Sequence, residues 1–128
     1  MSVQSDIQQV LLHLTQKSVQ VLVLLLAETD ARLKMKSPVD TGRFRASWTI
    51  GVGQPDTTVA PDVVKGQVAV AEPRIPAITV GQTYYHSNSL PYARRLEYGW
   101  SKQAPAGMVR LTAAEIPGII DALVAQVS

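Results

Sequence analysis

Cysteine is absent from the 128 residues. That excludes disulfides, thiolate nucleophiles and thiolate metal sites, and it fits assembly in a reducing cytosol. Aromatic residues make up only 5% of the chain, too few for a stacking platform along a nucleic acid. Charge of one sign is also scarce, with a net +2 overall. The longest uninterrupted apolar run is Val21–Ala27, far below the roughly 20 residues of a bilayer span, so no membrane segment is expected. No basic region precedes that run and no small-residue cleavage site follows it, which argues against a secretory signal. Glycine and proline are missing from Ser5 to Lys36 and gather between Pro38 and Gly118.

What remains is a composition 46% apolar and 17% charged, ordinary for one globular domain over residues 1–128. The gap in glycine and proline predicts a helix from about Ser5 to Lys36. Ile7, Leu11, Leu14, Leu22 and Leu25 recur at helical spacing, widened by Val10, Val21 and Leu33. Ser5 or Asp6 can cap its start, Lys34 and Lys36 suit its negative end, and Pro38 stops it. At roughly 30 residues it spans about 45 Å, longer than one small domain needs. Val19 to Ala27 is apolar almost all round, so a sheet on one face and a neighbouring subunit on the other are expected to cover it. His13, near the stripe, reads as a half-exposed helix residue.

Downstream, Asp40 or Thr41 can cap a short helical turn, with Gly42 easing the backbone. Trp48, Ile50 and Val52 alternate with Thr49 and Gly51 as a strand that puts Trp48 in the core. Gly53–Pro61 reads as a polar loop, Val63–Ala71 as a second strand, Glu72–Pro76 as another loop and Ile78–His86 as a third strand. The two Pro-broken loops are candidates to order only on assembly. Leu90–Gly99 reads as a short helix entered at Pro91 and left at Gly99. Gly107–Val127 reads as the last helix, with Met108, Leu111, Ala114, Ile119, Leu123 and Val127 on one face and a break or kink at Pro117. The expected fold class is therefore α+β. A long N-terminal helix and a C-terminal helix pack on a small, mainly antiparallel sheet, with a short helix before the last one.

Catalytic constellations are not found. His13 and His86 fall on different elements and in no ligand spacing, so no metal and no cofactor are expected. Ser87, Asn88 and Ser89 read as a turn and cap before Pro91. The acids form no convincing pair for proton transfer, and the chain is not expected to be an enzyme. One charge feature stands out. Residues 32–45 hold Arg32, Lys34, Lys36, Arg43 and Arg45 against Asp40 alone, a local +4, which leaves seven cations and nine acids, or −2, elsewhere. This patch, with Arg94 and Arg95, could meet phosphate; a solvated helix end is the plainer reading.

Two segments carry a resemblance. Ser37-Pro-Val-Asp-Thr-Gly-Arg-Phe-Arg-Ala-Ser-Trp48 resembles the P-V-D-T-G-x-L-R-x-S signature of the HK97 gp10-like phage proteins. Pro91-Tyr-Ala-Arg-Arg-Leu-Glu-Tyr-Gly-Trp100 is similar to that family's Y-A-x-x-x-E-x-G segment. The family's proline–aromatic pair before the last helix is replaced here by Ala104-Pro-Ala-Gly-Met-Val109. The resemblance spans about Leu14 to Ala122 in order and spacing.

It implies a structural virion protein of the neck, head–tail joining, tail completion or minor tail type, assembled in the host cytoplasm. Such a protein would form a six-fold or twelve-fold ring with itself. It would meet the head–tail connector and the tail-tube or tail-terminator proteins, and pass DNA without sequence-specific binding. A tail-terminator or minor tail subunit is the alternative within this class, and a small DNA-binding module using the 32–45 patch the alternative outside it. Arg43, Arg45, Arg94, Arg95 and Glu97 are the expected partner or oligomer contacts, with Arg43 or Arg45 able to pair with Glu97. Asp40, Thr41, Gly42, Trp48, Tyr92 and Gly99 are the expected structural residues, Tyr92, Leu96 and Tyr98 packing the short helix on the sheet.

Overall fold

The structure, a computed structural model, describes residues 3–39, 42–62 and 75–128. Helix α1 (Val3–Lys36) leads through α2 (Arg43–Ala46) into strand β1 (Trp48–Val52). Strand β2 (Tyr84–Asn88), helix α3 (Ala93–Glu97) and helix α4 (Val109–Val127) follow. The order is the expected α+β plan: both long helices flank a small antiparallel sheet, and a short helix precedes the last. The strand expected over Val63–Ala71, and the first part of the Glu72–Pro76 loop, lie outside the described residues.

The sheet pairs Trp48 with Asn88, Ile50 with His86 and Val52 with Tyr84, so these side chains share one face. That face turns to the end of α1, where Leu33, Phe44, Trp48, Leu90, Ala104 and Met108 form the core, with Ala93 and Leu96 against it. Each of the larger side chains here, fully buried, contributes about 1.5–3 kcal/mol. The other face is covered too. The Thr49 hydroxyl donates to the Asp56 carbonyl (2.7 Å), Ala60 N–H donates to Ser47 Oγ (3.0 Å) and Arg43 Nε donates to the Ala60 carbonyl (2.9 Å). Bonds within the chain thus join the loop 53–61 to the sheet, and Thr49 is buried where alternation predicts exposure. Strand β2 begins at Tyr84, six residues later than expected. Thr79 instead makes two hydrogen bonds with the Tyr84 hydroxyl, within a turn that passes through Gly81.

Helix α1 is already helical at Val3, so Ser5 and Asp6 lie within its first turn rather than capping it. Its 34 residues correspond to about 50 Å of length. Helix α4 runs back along it: Glu115 meets Arg32 and Lys36, while Val124 and Val127 lie beside Leu14 and Val21. The principal cover of α1 is therefore α4, and the sheet meets only its last turns, through Leu33 and Asp30. The apolar composition alone did not reveal this division.

Helix α4 is continuous through Pro117. Proline removes an N–H and crowds the carbonyl four residues back. Pro117 and Ala113 are both exposed, so that carbonyl can bond water and the helix need not break. Its buried stripe is Met108, Thr112 and Ile119, with Leu123 and Val127 partly covered; Leu111 and Ala114, expected inward, face solvent.

Candidate functional site

The two segments that carry the resemblance meet in space. From the first, the Trp48 indole N–H donates to Ser37 Oγ (2.7 Å), which donates to the Leu33 carbonyl (2.6 Å). This chain of bonds ties the end of α1 to the start of β1 across the turn that Pro38 opens. Phe44 then packs edge-on against Trp48 (5.9 Å between centroids) and against the Tyr92 ring of the second segment (6.0 Å). Val39 N–H donates to Gln103 Oε1 (2.9 Å) and Gln103 Nε2 returns a bond to the Val39 carbonyl (3.2 Å). Asn88 Nδ2 donates to the Phe44 carbonyl (2.8 Å), while its Oδ1 accepts from Leu90 N–H, the turn expected before Pro91. Beside this junction a hollow of about 260 Å³ is lined by Pro38, Arg43, Phe44, Tyr92 and Gln103, among others.

Glu97 has a role that sequence reading missed. Its Oε1 accepts the N–H groups of Met108 (2.8 Å) and Val109 (2.7 Å), and its Oε2 accepts Arg110 N–H (3.1 Å). The last residue of α3 thus caps α4, satisfying three donors that a helix start leaves open, with its charge at the positive end of the dipole. Burial pushes the Glu97 carboxyl up, but these three backbone bonds and Arg110 outweigh it and hold it below the usual range. The expected pairing of Glu97 with Arg43 or Arg45 does not occur: its cation is Arg110 (3.1 Å). Gly107 permits the approach. A Cβ there would lie 2.4 Å from the Glu97 carbonyl, and its φ is +86°. The available signal was a gap: no Ser, Thr, Asp or Asn precedes Val109 to cap α4 locally.

Arg43 binds the Ala60 carbonyl and Asp62 (3.0 Å), and Arg45 reaches the Ser37 carbonyl (3.4 Å). Gly42, at φ +83°, is the N-cap of α2, while Asp40 and Thr41, expected as caps, lie outside the described residues. Tyr92 is the N-cap of α3, and α3 starts at Ala93, two residues past Pro91. Of the side chains expected to pack α3, Leu96 and Tyr92 do so, whereas Tyr98 is 63% exposed. Gly99 turns the chain at φ +88°, and a Cβ there would sit 2.6 Å from the Pro105 carbonyl. Arg94 and Arg95 are exposed, with Arg95 over the Trp100 ring at 5.0 Å.

The basic patch is largely spent inside the molecule. Arg32 pairs with Glu28 (2.9 Å) and Glu115, and Lys36 with Glu115 (2.6 Å). The hydrogen bonds from Lys36 and Arg32 draw the Glu115 carboxyl below its ordinary range. Lys34 is buried and pairs with Asp30 (2.7 Å), whose other oxygen meets His86 Nε2 (2.9 Å). Burial pushes the Asp30 carboxyl up, but the bonds from His86 and Lys34 prevail and hold it low. No sequence spacing pointed to this Asp30–His86 pair, because its members are 56 residues apart. Among the described residues no group of three or more metal-ligating side chains converges.

The remaining feature is the start of α1. Val3, Ile7, Val10, Leu11, Leu12 and Leu14 each leave 54–75% of their surface exposed. Within α1 an 18-residue window has mean hydropathy 1.6, so this helix is long and apolar enough to cross a membrane by length and composition. Judging by the uninterrupted run Val21–Ala27 overlooked this, since a window average tolerates scattered polar residues.

No family model, curated protein or solved structure matches the chain.

Proposed function

We propose that the chain is a non-enzymatic structural protein of a tailed-phage virion, a subunit of a ring at the head–tail junction that links the connector to the tail and continues the DNA passage. The observation that carries this reading is the junction of the two segments resembling the HK97 gp10-like proteins. They are separated by more than forty residues, yet they meet in one head through Phe44, Trp48 and Tyr92, with Gln103 just past the second segment bonded to Val39 of the first. Such a head suits a protein that acts by shape and contact. The exposed Arg94, Arg95 and Trp100 on that head are its best-placed residues for a neighbouring protein, since Arg and Trp are favoured anchors of interfaces.

A tail-terminator or minor tail subunit remains the alternative within the class. The DNA-binding module is less favoured, because each of the five cations at 32–45 is engaged by an acid or a carbonyl of the same chain. The test is the copy number relative to the portal in purified virions, by quantitative mass spectrometry. A small fixed ratio, about one half or one, is expected of a ring. Absence from particles, together with binding to duplex DNA that weakens steeply with salt, would replace this reading with the DNA-binding one.

A further inference from the structure

The face of α1 that α4 covers does not stop where α4 stops. Val3, Ile7, Val10 and Leu14 recur at alternating steps of four and three, the spacing of a coiled-coil seam, and they continue the line along which Val124 and Val127 pack. At the end of α4 this line opens into a groove of about 330 Å³, lined by Leu14, Val21, Val124 and Val127 among others. All four seam residues are more than half exposed. We infer that this seam is the docking surface for a second copy of the chain, the first turns of two α1 helices pairing antiparallel so that each takes the place α4 leaves vacant on the other.

Register and charge select this occupant. Running antiparallel, Val3 of one copy lies opposite Leu14 of the other and Ile7 opposite Val10, so the stripe is complementary to itself, as an isologous two-fold contact requires. Val3 of each copy then enters the groove beside Leu14 of its mate. A parallel pairing would instead set Lys17 against Lys17 across the seam, because Lys17 falls at the next seam position after Leu14. Between Val3 and Leu14 the only formal charge is Asp6, so the segment offers nothing to an anionic surface and little repulsion to a copy of itself. The exposed apolar area fits as well. Five side chains on or beside the seam, Val3, Ile7, Val10, Leu11 and Leu14, are each more than half open and make a patch on the order of the largest on an ordinary monomer, about 300–600 Å². Joining two such patches removes on the order of 1,000 Å² in total, the threshold of a specific interface. The pairing is a property of the free chain and stands apart from the virion reading, since a two-fold contact closes on itself and builds no ring.

Sedimentation equilibrium of the full chain between about 1 and 100 µM tests it. The expected mass is twice the 13.9 kDa of one chain. The double variant Ile7→Asp/Val10→Asp is expected to raise the dissociation constant about a hundredfold or more, with helical circular dichroism and melting temperature of the monomer retained because both sites are exposed. The chain has no cysteine, so introduced thiols report orientation. An equimolar mixture of Ile7→Cys and Val10→Cys chains should form mainly the mixed disulfide. A monomer at every concentration, a dimer indifferent to the double variant, or Ile7→Cys chains that link to themselves as readily as to Val10→Cys would each overturn the inference. Monomers that float with phosphatidylcholine vesicles instead of pairing would overturn it in favour of a bilayer.

Discussion

The two ends of helix α1 each present apolar side chains at helical spacing and live under different conditions. At its last turns, Leu33 is in the core, Lys34 and Asp30 form a buried ion pair, and Ser37 holds the Trp48 indole. At its first turns, Val3, Ile7 and Val10 are mostly in solvent. One end is fixed by tertiary contacts, while the other is helical because extending an existing helix costs little per residue. Apolar periodicity therefore states that a face wants cover and leaves open whether the same chain supplies it.

The contrast can be broken most forcefully at the packed end. Trp48→Ala removes the largest core side chain, its contacts with Phe44 and His86, and the bond to Ser37. A loss of about 4 kcal/mol in urea unfolding is expected, and a loss under about 1 kcal/mol would mean that the core is not centred there. Next comes Asp30→Asn, which strands the buried Lys34 ammonium, with its side chain only 10% exposed, and removes the carboxylate partner of His86. The expected cost is about 3 kcal/mol. Because the folded carboxyl is held low, its contribution is complete above the unfolded pKa of about 3.9 and disappears as pH falls through the folded value. The gap in melting temperature between wild type and Asp30→Asn should therefore narrow below about pH 4. A gap constant from pH 6 to pH 2 would show that charge is not what Asp30 contributes.

The backbone plan was legible because it rests on local rules. Pro38 ends α1 where the pre-proline restriction demands it, and Trp48 marks both the strand and the core. Contacts between distant segments were not legible. The cap of α4 comes from Glu97 on another helix, and the Asp30–His86 pair joins α1 to β2; neither has a sequence spacing. Two local rules gave the wrong detail for a tertiary reason. Thr49 is buried because a loop folds over the face that alternation assigns to solvent, and Pro117 is tolerated because its side of α4 is wet.

An intermediate effect belongs to Glu97→Gln. The amide keeps an acceptor but loses the charge and one oxygen, so part of the three-donor cap and the Arg110 pair go. About 1–2 kcal/mol is expected, the range of a strong helix cap. The loss should be local as well as global, with faster hydrogen exchange at Met108, Val109 and Arg110 than at the middle of α4. Uniform protection along α4 in the variant would mean that the cap is not what holds its start.

The smallest effect is expected where the solvated end is most exposed to solvent on the side away from the seam. Leu12 leaves 59% of its surface open and points nearly opposite the line through Ile7, Val10 and Leu14. Leu12→Glu should change the unfolding free energy by less than about 0.5 kcal/mol, because glutamate is as good a helix former and no packed neighbour is lost. It should also leave the sedimentation mass of the wild type in place, unlike the charged pair at Ile7 and Val10. If Leu12→Glu instead dispersed the dimer, the apolar start of α1 would be wrapped on all sides, and a bundle of several helices would replace the simple pair.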